Sequence, residues 1–188
     1  HWNGIGTDSV DVHLYTNMDE VELFLNGKSL GKKTVEKFDI PAWRVKYTPG
    51  KLLAKGKKNG KKYTELVETT GNPASLQLAS ENGTSIQGDG NDVAIITVKV
   101  LDAKGRVVPT AENGIHFDVR NGKILGVGNG NPCSQEPDVF PAGSDVHRNA
   151  FNGYAQVLVT SDRSGQPIEL TAVSEGVKES KIIVEVTK

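Results

Sequence analysis

The chain has 188 residues, of which 24% are charged and 6% aromatic, and its formal net charge is −1. This length accommodates one large domain or two of about a hundred residues each. A nearly neutral chain without a dense basic patch lacks the usual electrostatics of a nucleic-acid-binding protein. No apolar run is long enough to span a bilayer. We therefore expect neither a nucleic-acid partner nor membrane insertion.

Glycine and proline, at 21 and 8 residues, interrupt short runs rich in valine, isoleucine and threonine. This composition favours β-strands joined by turns over helices, whose apolar residues would recur at a period near 3.6. The single cysteine, Cys133, forms no intrachain disulfide and has no Cys or His neighbour at metal-ligand spacing. We expect no metal ligands and no cofactor.

The first strands alternate apolar and polar residues, which is typical of a strand with one buried face. Val10, Val12 and Leu14 follow this pattern, and so does the run from Val21 to Leu25. The dipeptide Asn26-Gly27 then suits the positive φ angles of a type I′ turn. It predicts that the preceding strand folds back as a hairpin.

A further alternating strand contains Trp43, Val45 and Tyr47, and we expect these side chains in the core. Two more strands flank Asn59-Gly60, which predicts a second hairpin. About six strands are enough for a small sandwich. The lysines of this hairpin discourage pairing at a sheet edge and do not indicate a nucleic-acid site; they are Lys51, Lys55, Lys57, Lys58, Lys61 and Lys62.

The pattern breaks before Pro73, where proline bars a continuous ladder, and a new strand begins at Leu76. We place a domain boundary there, giving domains at 1–72 and 73–188. Later strand signals are spaced as in another sandwich and run over 93–101, 115–120, 123–127, 154–160, 168–173 and 181–186. The predicted fold class is all-β, with two consecutive immunoglobulin-like β-sandwich domains.

One long segment, from Gly128 to Gly153, shows little strand signal. A loop of this length in a compact domain is usually functional or mobile. It contains Ser144, Asp145 and His147, which have the residue types of a nucleophilic triad. Because the three lie almost side by side, we interpret them as a chance cluster.

Two other motifs resemble ligand sites but have simpler interpretations. Gly126, Gly128 and Gly130 lack the spacing and the following helix of a dinucleotide-binding loop. Asp89, Asn91 and Asp92 offer oxygen ligands for calcium, yet they also compose an ordinary turn, which we favour.

Exposed aromatic rings can stack on sugars, so aromatics outside the predicted strands are the candidates for a sugar or docking surface. They are Trp2, Phe140, Phe151 and Tyr154.

Several stretches in order along the chain resemble a known arrangement. The first half contains His1-Trp2-Asn3 and the run from Val21 to Gly31, and the second contains Asp89 to Asp92, Gly105 to Pro109 and Gly126 to Gly130. Together they resemble the C-terminal, non-catalytic domains of bacterial glycoside hydrolase family 2 β-galactosidases. The resemblance covers nearly the whole chain.

In that family the catalytic glutamates lie on a preceding barrel, so the resemblance implies no catalytic residue here. It implies a longer protein that hydrolyses terminal β-glycosides by a retaining mechanism, in which the barrel is this region's partner. The resemblance also implies that this longer protein is periplasmic or secreted. The chain itself begins at His1 without a signal peptide, so we expect it to be a piece of that protein. Two alternatives remain, a carbohydrate-binding module and an adhesin-like immunoglobulin stalk.

Overall fold

The computed structural model describes residues 1–4 and 9–188. The chain divides into two compact units, His1–Thr70 and Gly71–Lys188. Throughout these ranges the regular structure consists of β-strands, which confirms the predicted all-β class. No helix in them is long and apolar enough to cross a membrane.

The first unit contains strands from two sheets. Strands β1 and β4 form an antiparallel pair, and the other four strands form a sheet in the order β3-β2-β5-β6. Their bounds are β1 Ser9–His13, β2 Glu20–Leu25, β3 Lys28–Thr34, β4 Ala42–Lys46, β5 Lys51–Lys58 and β6 Lys61–Glu68.

Both predicted hairpins of this unit are present. Asn26 and Gly27 have φ angles of 51° and 83°, and Asn59 and Gly60 have φ angles of 48° and 77°. Two successive positive φ angles define the type I′ turn, whose twist matches that of the flanking strands. The turns therefore join β2 to β3 and β5 to β6 as antiparallel neighbours.

The core of the first unit is built from one face of each sheet. Val21 and Leu23 of β2 pack in one apolar cluster with Trp43 and Val45 of β4. Tyr47 is partly buried against the same cluster. The burial predicted for this alternating face is therefore confirmed, and the two sheets form a small sandwich.

The second unit contains nine strands. Eight of them are hydrogen-bonded side by side in the order β11-β13-β9-β7-β15-β14-β10-β12, and β8 pairs with β15. The bounds are β7 Pro73–Ser80, β8 Ser85–Gln87, β9 Val93–Asp102, β10 Gly114–Arg120, β11 Gly122–Gly128, β12 Val146–Asn149, β13 Tyr154–Ser161, β14 Ile168–Ser174 and β15 Val177–Thr187.

These strands fold into two layers. Strand β7 is antiparallel to β9 on one side and meets β15 in parallel at the pair Ser75–Lys178. The inward residues of both layers belong to one apolar cluster, which is the sandwich core. Its fully buried members include Ile96, Val98 and Val100 of β9, Val157 and Val159 of β13, Ile115 of β10, and Ile168 and Leu170 of β14.

Three strands differ from the sequence prediction. Strand β12 lies inside the segment 128–153 that showed little strand signal, and β8 was not predicted. Strand β15 begins at Val177, four residues before the predicted start, because a turn with Gly176 at φ 73° brings this polar stretch back onto β14. In all three cases pairing with neighbouring strands outweighs a weak local apolar pattern.

Candidate functional site

The segment between β11 and β12 is organised around a buried arginine. Arg148 of β12 is 4% exposed. Its Nη1 donates to Asp138 Oδ1 at 2.8 Å and to the Glu136 carbonyl oxygen at 3.1 Å, and its Nη2 donates to Asn129 Oδ1 at 3.2 Å. Because one cation gathers acceptors from three points of the loop, the loop is fixed to the sheet edge.

Further hydrogen bonds close the loop onto its flanking strands. Asn129 Nδ2 donates to the Asn149 carbonyl oxygen at 2.9 Å, and the Asn149 amide donates to Glu136 Oε1 at 3.3 Å. On the other side the Val127 amide donates to the Asp138 carbonyl oxygen at 2.8 Å. A segment that was expected to be functional or mobile is therefore held at both ends by its own polar groups.

Two histidines and an aspartate meet beside this loop. His116 of β10 and His147 of β12 are directly opposite each other in the antiparallel register, and their ring centroids are 5.6 Å apart. Both carboxylate oxygens of Asp145, one residue before β12, lie 3.0 Å from His116 Nδ1. The hydrogen bond from His116 lowers the pKa of Asp145, which keeps this carboxyl group ionised.

The sequence singled out Asp145 and His147 but not His116. The nucleophilic triad considered there would have joined Asp145 to Ser144, whereas the carboxylate contacts a histidine 29 residues away. The signal for this contact is the cross-strand register of β10 and β12. It could not be used because β12 was not predicted.

Trp2, one of the four aromatic candidates for a sugar or docking surface, is buried. Its side chain is 8% exposed and packs in the core of the first unit. The indole Nε1 donates to the Thr48 carbonyl oxygen at 2.8 Å, and the ring contacts Tyr47. The expectation of an exposed stacking ring is corrected here, because an indole with a bonded N–H and an apolar cluster around it has no free face.

The other three candidates lie in the second unit. Phe140 packs against the core cluster and meets the His147 ring edge-on, with centroids 5.1 Å apart. Phe151 and Tyr154 exchange backbone hydrogen bonds around a tight turn at Asn152 and Gly153. Tyr154 is 43% exposed, so it is the candidate with the largest accessible ring. Within residues 1–4 and 9–188 none of the four rings stacks on another.

The predicted turn at Asp89 to Asp92 is present, and its acidic groups serve the backbone. Asp89 Oδ1 accepts hydrogen bonds from the amides of Asn91 and Asp92. The two carboxylate oxygens of Asp92 accept from the amides of Gln87 and Val93. These bonds to neighbouring amides are the contacts of an ordinary Asx turn, which supports the turn interpretation. Gly126 and Gly128, two of the glycines compared above with a dinucleotide-binding loop, lie within strand β11.

Comparison with known proteins places the chain in a family. Residues 76–183 match the family described as Glycoside hydrolase family 2 C-terminal domain 5. The chain belongs to glycoside hydrolase family 2. Residues 7–64 of this family 2 chain also match a domain of unknown function, DUF4982.

Similar proteins are longer than this family 2 chain. It is 39% identical to a β-galactosidase from Bacteroides ovatus, over 96% of this chain and 21% of that protein. A β-glucuronidase from Formosa agariphila is 37% identical over 71% of this chain and 14% of its own length. A crystal structure of a family 2 member from Bacteroides cellulosilyticus superposes with a TM-score of 0.87 and 33% identity, covering 98% of this chain and 25% of the other. The family 2 chain thus spans about a quarter or less of these relatives.

The most buried carboxylate within residues 1–4 and 9–188 of the family 2 chain serves its fold. Asp102 is 2% exposed and accepts hydrogen bonds from the amides of Gly71, Lys104 and Arg106. The Arg106 guanidinium, at 2.6 and 2.9 Å from Oδ2, and these amides hold the pKa of Asp102 far below its usual range. A carboxylate with so many donors has no lone pair left for a sugar, so Asp102 is a structural anion.

Proposed function

We propose that this chain is a non-catalytic, structural region of a longer family 2 enzyme that hydrolyses terminal β-glycosides. Among these, β-galactosides are the proposed substrates of that enzyme. One observation carries the proposal: nearly the whole chain matches about a quarter or less of each longer glycoside hydrolase. A retaining glycosidase needs two carboxyl groups about 5–5.5 Å apart across the scissile bond. In the proposed arrangement that pair belongs to the remainder of the enzyme.

The buried charges of the chain support this role. Asp102 holds a turn, and Arg148 holds a loop against a sheet edge. Both charges are paired with an oppositely charged neighbour within the second unit, so neither is poised for proton transfer. This use of buried charge is typical of a rigid scaffold.

Hydrolysis assays test the absence of catalysis. The chain is incubated with an aryl β-galactoside and, in a second arm, with an aryl β-glucuronide. Both are used because the similar proteins include a β-galactosidase and a β-glucuronidase. We expect no release of the aryl group above the blank in either arm, with a complete family 2 β-galactosidase as positive control. Turnover that disappears when one acidic residue of the chain is replaced by its amide would overturn the proposal.

The proposed partner is the catalytic barrel of the same longer protein, in a periplasmic or secreted enzyme. We expect that removing residues 1–188 from that enzyme lowers its thermal unfolding temperature and leaves its preference between β-galactoside and β-glucuronide unchanged. Activity assays and calorimetry on the enzyme with and without this region measure both quantities. A switch of sugar preference would assign this region a role in substrate selection instead.

A further inference from the structure

Three side chains of the second unit form a cluster with metal-ligand chemistry. His116 and His147 face each other across β10 and β12, and Asp145 lies just before β12. One ligand atom from each of the three lies within 4.8 Å of the other two. Ligand atoms on a tetrahedral zinc ion, with bonds of about 2.0–2.1 Å, lie roughly 3.3 Å apart. The observed separations are therefore closed by small side-chain movements.

The donor atoms identify the class of ion. Two imidazole nitrogens and one carboxylate suit zinc and its first-row neighbours, whereas calcium and magnesium prefer sites made of oxygen atoms. We propose that His116, Asp145 and His147 bind a divalent transition-metal ion, with Zn²⁺ as the probe. This assignment replaces the expectation that the chain has no metal ligands.

The surroundings of the cluster orient its side chains. Nδ1 of His147 lies 2.9 Å from the Asp145 carbonyl oxygen, so Nε2 is the nitrogen of this ring that is left for an ion. The Phe140 ring packs edge-on against the same imidazole. Such outer contacts fix the rings of metal-ligating histidines. The two histidines are carried by paired strands, which gives the ligands a rigid base.

The ligands are also accessible. The side chains of His116 and His147 are 50% and 42% exposed, so an ion reaches them without unfolding of the chain. Three protein ligands leave a fourth tetrahedral position for water. The bound ion would tie the end of the loop, at Asp145, to the edge strand β12 and its neighbour β10.

A simple ion pair between His116 and Asp145 is the competing explanation, and it differs in the role of His147. An ion pair needs one imidazole, and a second protonated imidazole on the same face would repel the first. A metal site needs both rings in their neutral form. The contribution of His147 to cation binding therefore distinguishes the two explanations.

Isothermal titration calorimetry with Zn²⁺ at about pH 7.5, where histidine is mostly neutral, tests the site. A His1→Ala background removes the His1 imidazole, which could compete for Zn²⁺. We expect one Zn²⁺ per chain, with affinity reduced at least about tenfold in His116→Ala and in His147→Ala. The control His13→Ala changes an exposed histidine of β1 and leaves affinity unchanged.

Two further measurements keep the result independent of folding defects. Circular dichroism verifies that each variant is folded, and Asp145→Asn, which keeps the side-chain shape, also weakens binding. Co²⁺ bound at the site gives the visible absorption of a tetrahedral nitrogen–oxygen complex. The proposal is overturned if Zn²⁺ does not saturate at one per chain, if His147→Ala binds as the wild type does, or if Ca²⁺ competes equally. None of these readouts depends on glycosidase activity.

Discussion

At the scale of single residues, Asp102 accepts hydrogen bonds from three backbone amides and one guanidinium around a single buried carboxylate. Its carboxylate joins Gly71, at the start of the unit, to the turn that contains Lys104 and Arg106. A buried carboxylate paired with a guanidinium is costly to break, because the remaining partner is left uncompensated. This one side chain therefore fixes the entry of the chain into its sandwich.

Asp102→Asn tests that role. We expect the free energy of unfolding of the second unit to fall by about 3 kcal/mol, because Arg106 loses its buried counter-charge. Hydrogen exchange of the buried β9 and β13 amides at increasing urea concentrations measures the change in this unit. The control Asp118→Asn alters an exposed acid of β10 and should change stability by less than about 0.5 kcal/mol. Equal losses in the two variants would contradict the role of the ion pair.

The lowered pKa of Asp102 predicts a pH dependence. An unfolded aspartate has a pKa of about 3.9. Because the folded pKa lies below that value, the stabilisation is fully present above about pH 4 and is lost as the pH falls further. We expect the free energy of unfolding to fall more steeply below about pH 4 in the wild type than in Asp102→Asn. Parallel curves from urea unfolding across this range would refute the prediction.

Tyr154 tests the alternative of a carbohydrate-binding module. If the chain is a scaffold, electrophoresis in gels containing galactan, xyloglucan or mucin glycans should show no retardation of the wild type. Tyr154→Ala, which removes the most exposed ring of the four candidates, should then migrate identically. Retardation that Tyr154→Ala abolishes would favour a sugar-binding surface, since an exposed aromatic ring can stack on a pyranose.

At the scale of elements, turns were the most predictable features and β12 the least. Asn26-Gly27 and Asn59-Gly60 encode their hairpins locally, because asparagine and glycine accept positive φ angles. Strand β12 instead points the charged Arg148 inward, where it meets acceptors from a distant loop. Such a contact has no local apolar pattern, so no periodicity in the sequence could predict it.

Arg148→Met tests how the loop is held. The variant keeps the apolar stem but removes the hydrogen bonds to Asn129, Glu136 and Asp138, so the loop should open more often. Hydrogen exchange of the Val127 and Asn149 amides should accelerate by about tenfold or more. Arg120→Met, at an exposed position of β10, is the matched control. Unchanged exchange in Arg148→Met would mean that the backbone alone holds the loop.

The hairpin between β14 and β15 gives a second element-level prediction. Gly176 has a φ of 73° and open space around it, so alanine there meets no atoms but adopts an unfavourable backbone. We expect Gly176→Ala to cost about 1 kcal/mol in urea unfolding. Gly128→Ala, also in open space but without a positive φ, should leave stability nearly unchanged. An equal cost in both variants would mean that the positive φ of Gly176 is not the cause of the destabilisation.

At the scale of the whole molecule, each unit has its own apolar cluster. Leu23 is fully buried in the first and Val157 in the second. Leu23→Ala should cost about 3 kcal/mol and reduce hydrogen-exchange protection selectively in residues 9–70. Val157→Ala should reduce protection selectively in residues 71–188. Equal loss of protection in both units for either variant would show that they unfold as one.

The fold class and family were predictable over the whole molecule, but the candidate site was not. Alternating strands and turn dipeptides recur throughout the chain, so they reveal a β-sandwich without any long-range information. The histidine cluster depends on the pairing of residues 31 positions apart, His116 with His147. The exposure of aromatic rings depends equally on tertiary packing, which is why Trp2 was wrongly expected at the surface.

The parallel contacts of the last strand have a mechanical consequence. In the second unit β15 runs parallel to β7 at Ser75–Lys178 and to β8 from Ser85 to Gln87. A tensile force applied between the beginning and the end of this unit pulls parallel strands in opposite directions, so their hydrogen bonds are loaded in shear and resist together. In antiparallel terminal strands the same force would load the hydrogen bonds one after another, so they would break singly at lower force. Under tension this sandwich should therefore yield abruptly at high force, when the bonds of β15 rupture.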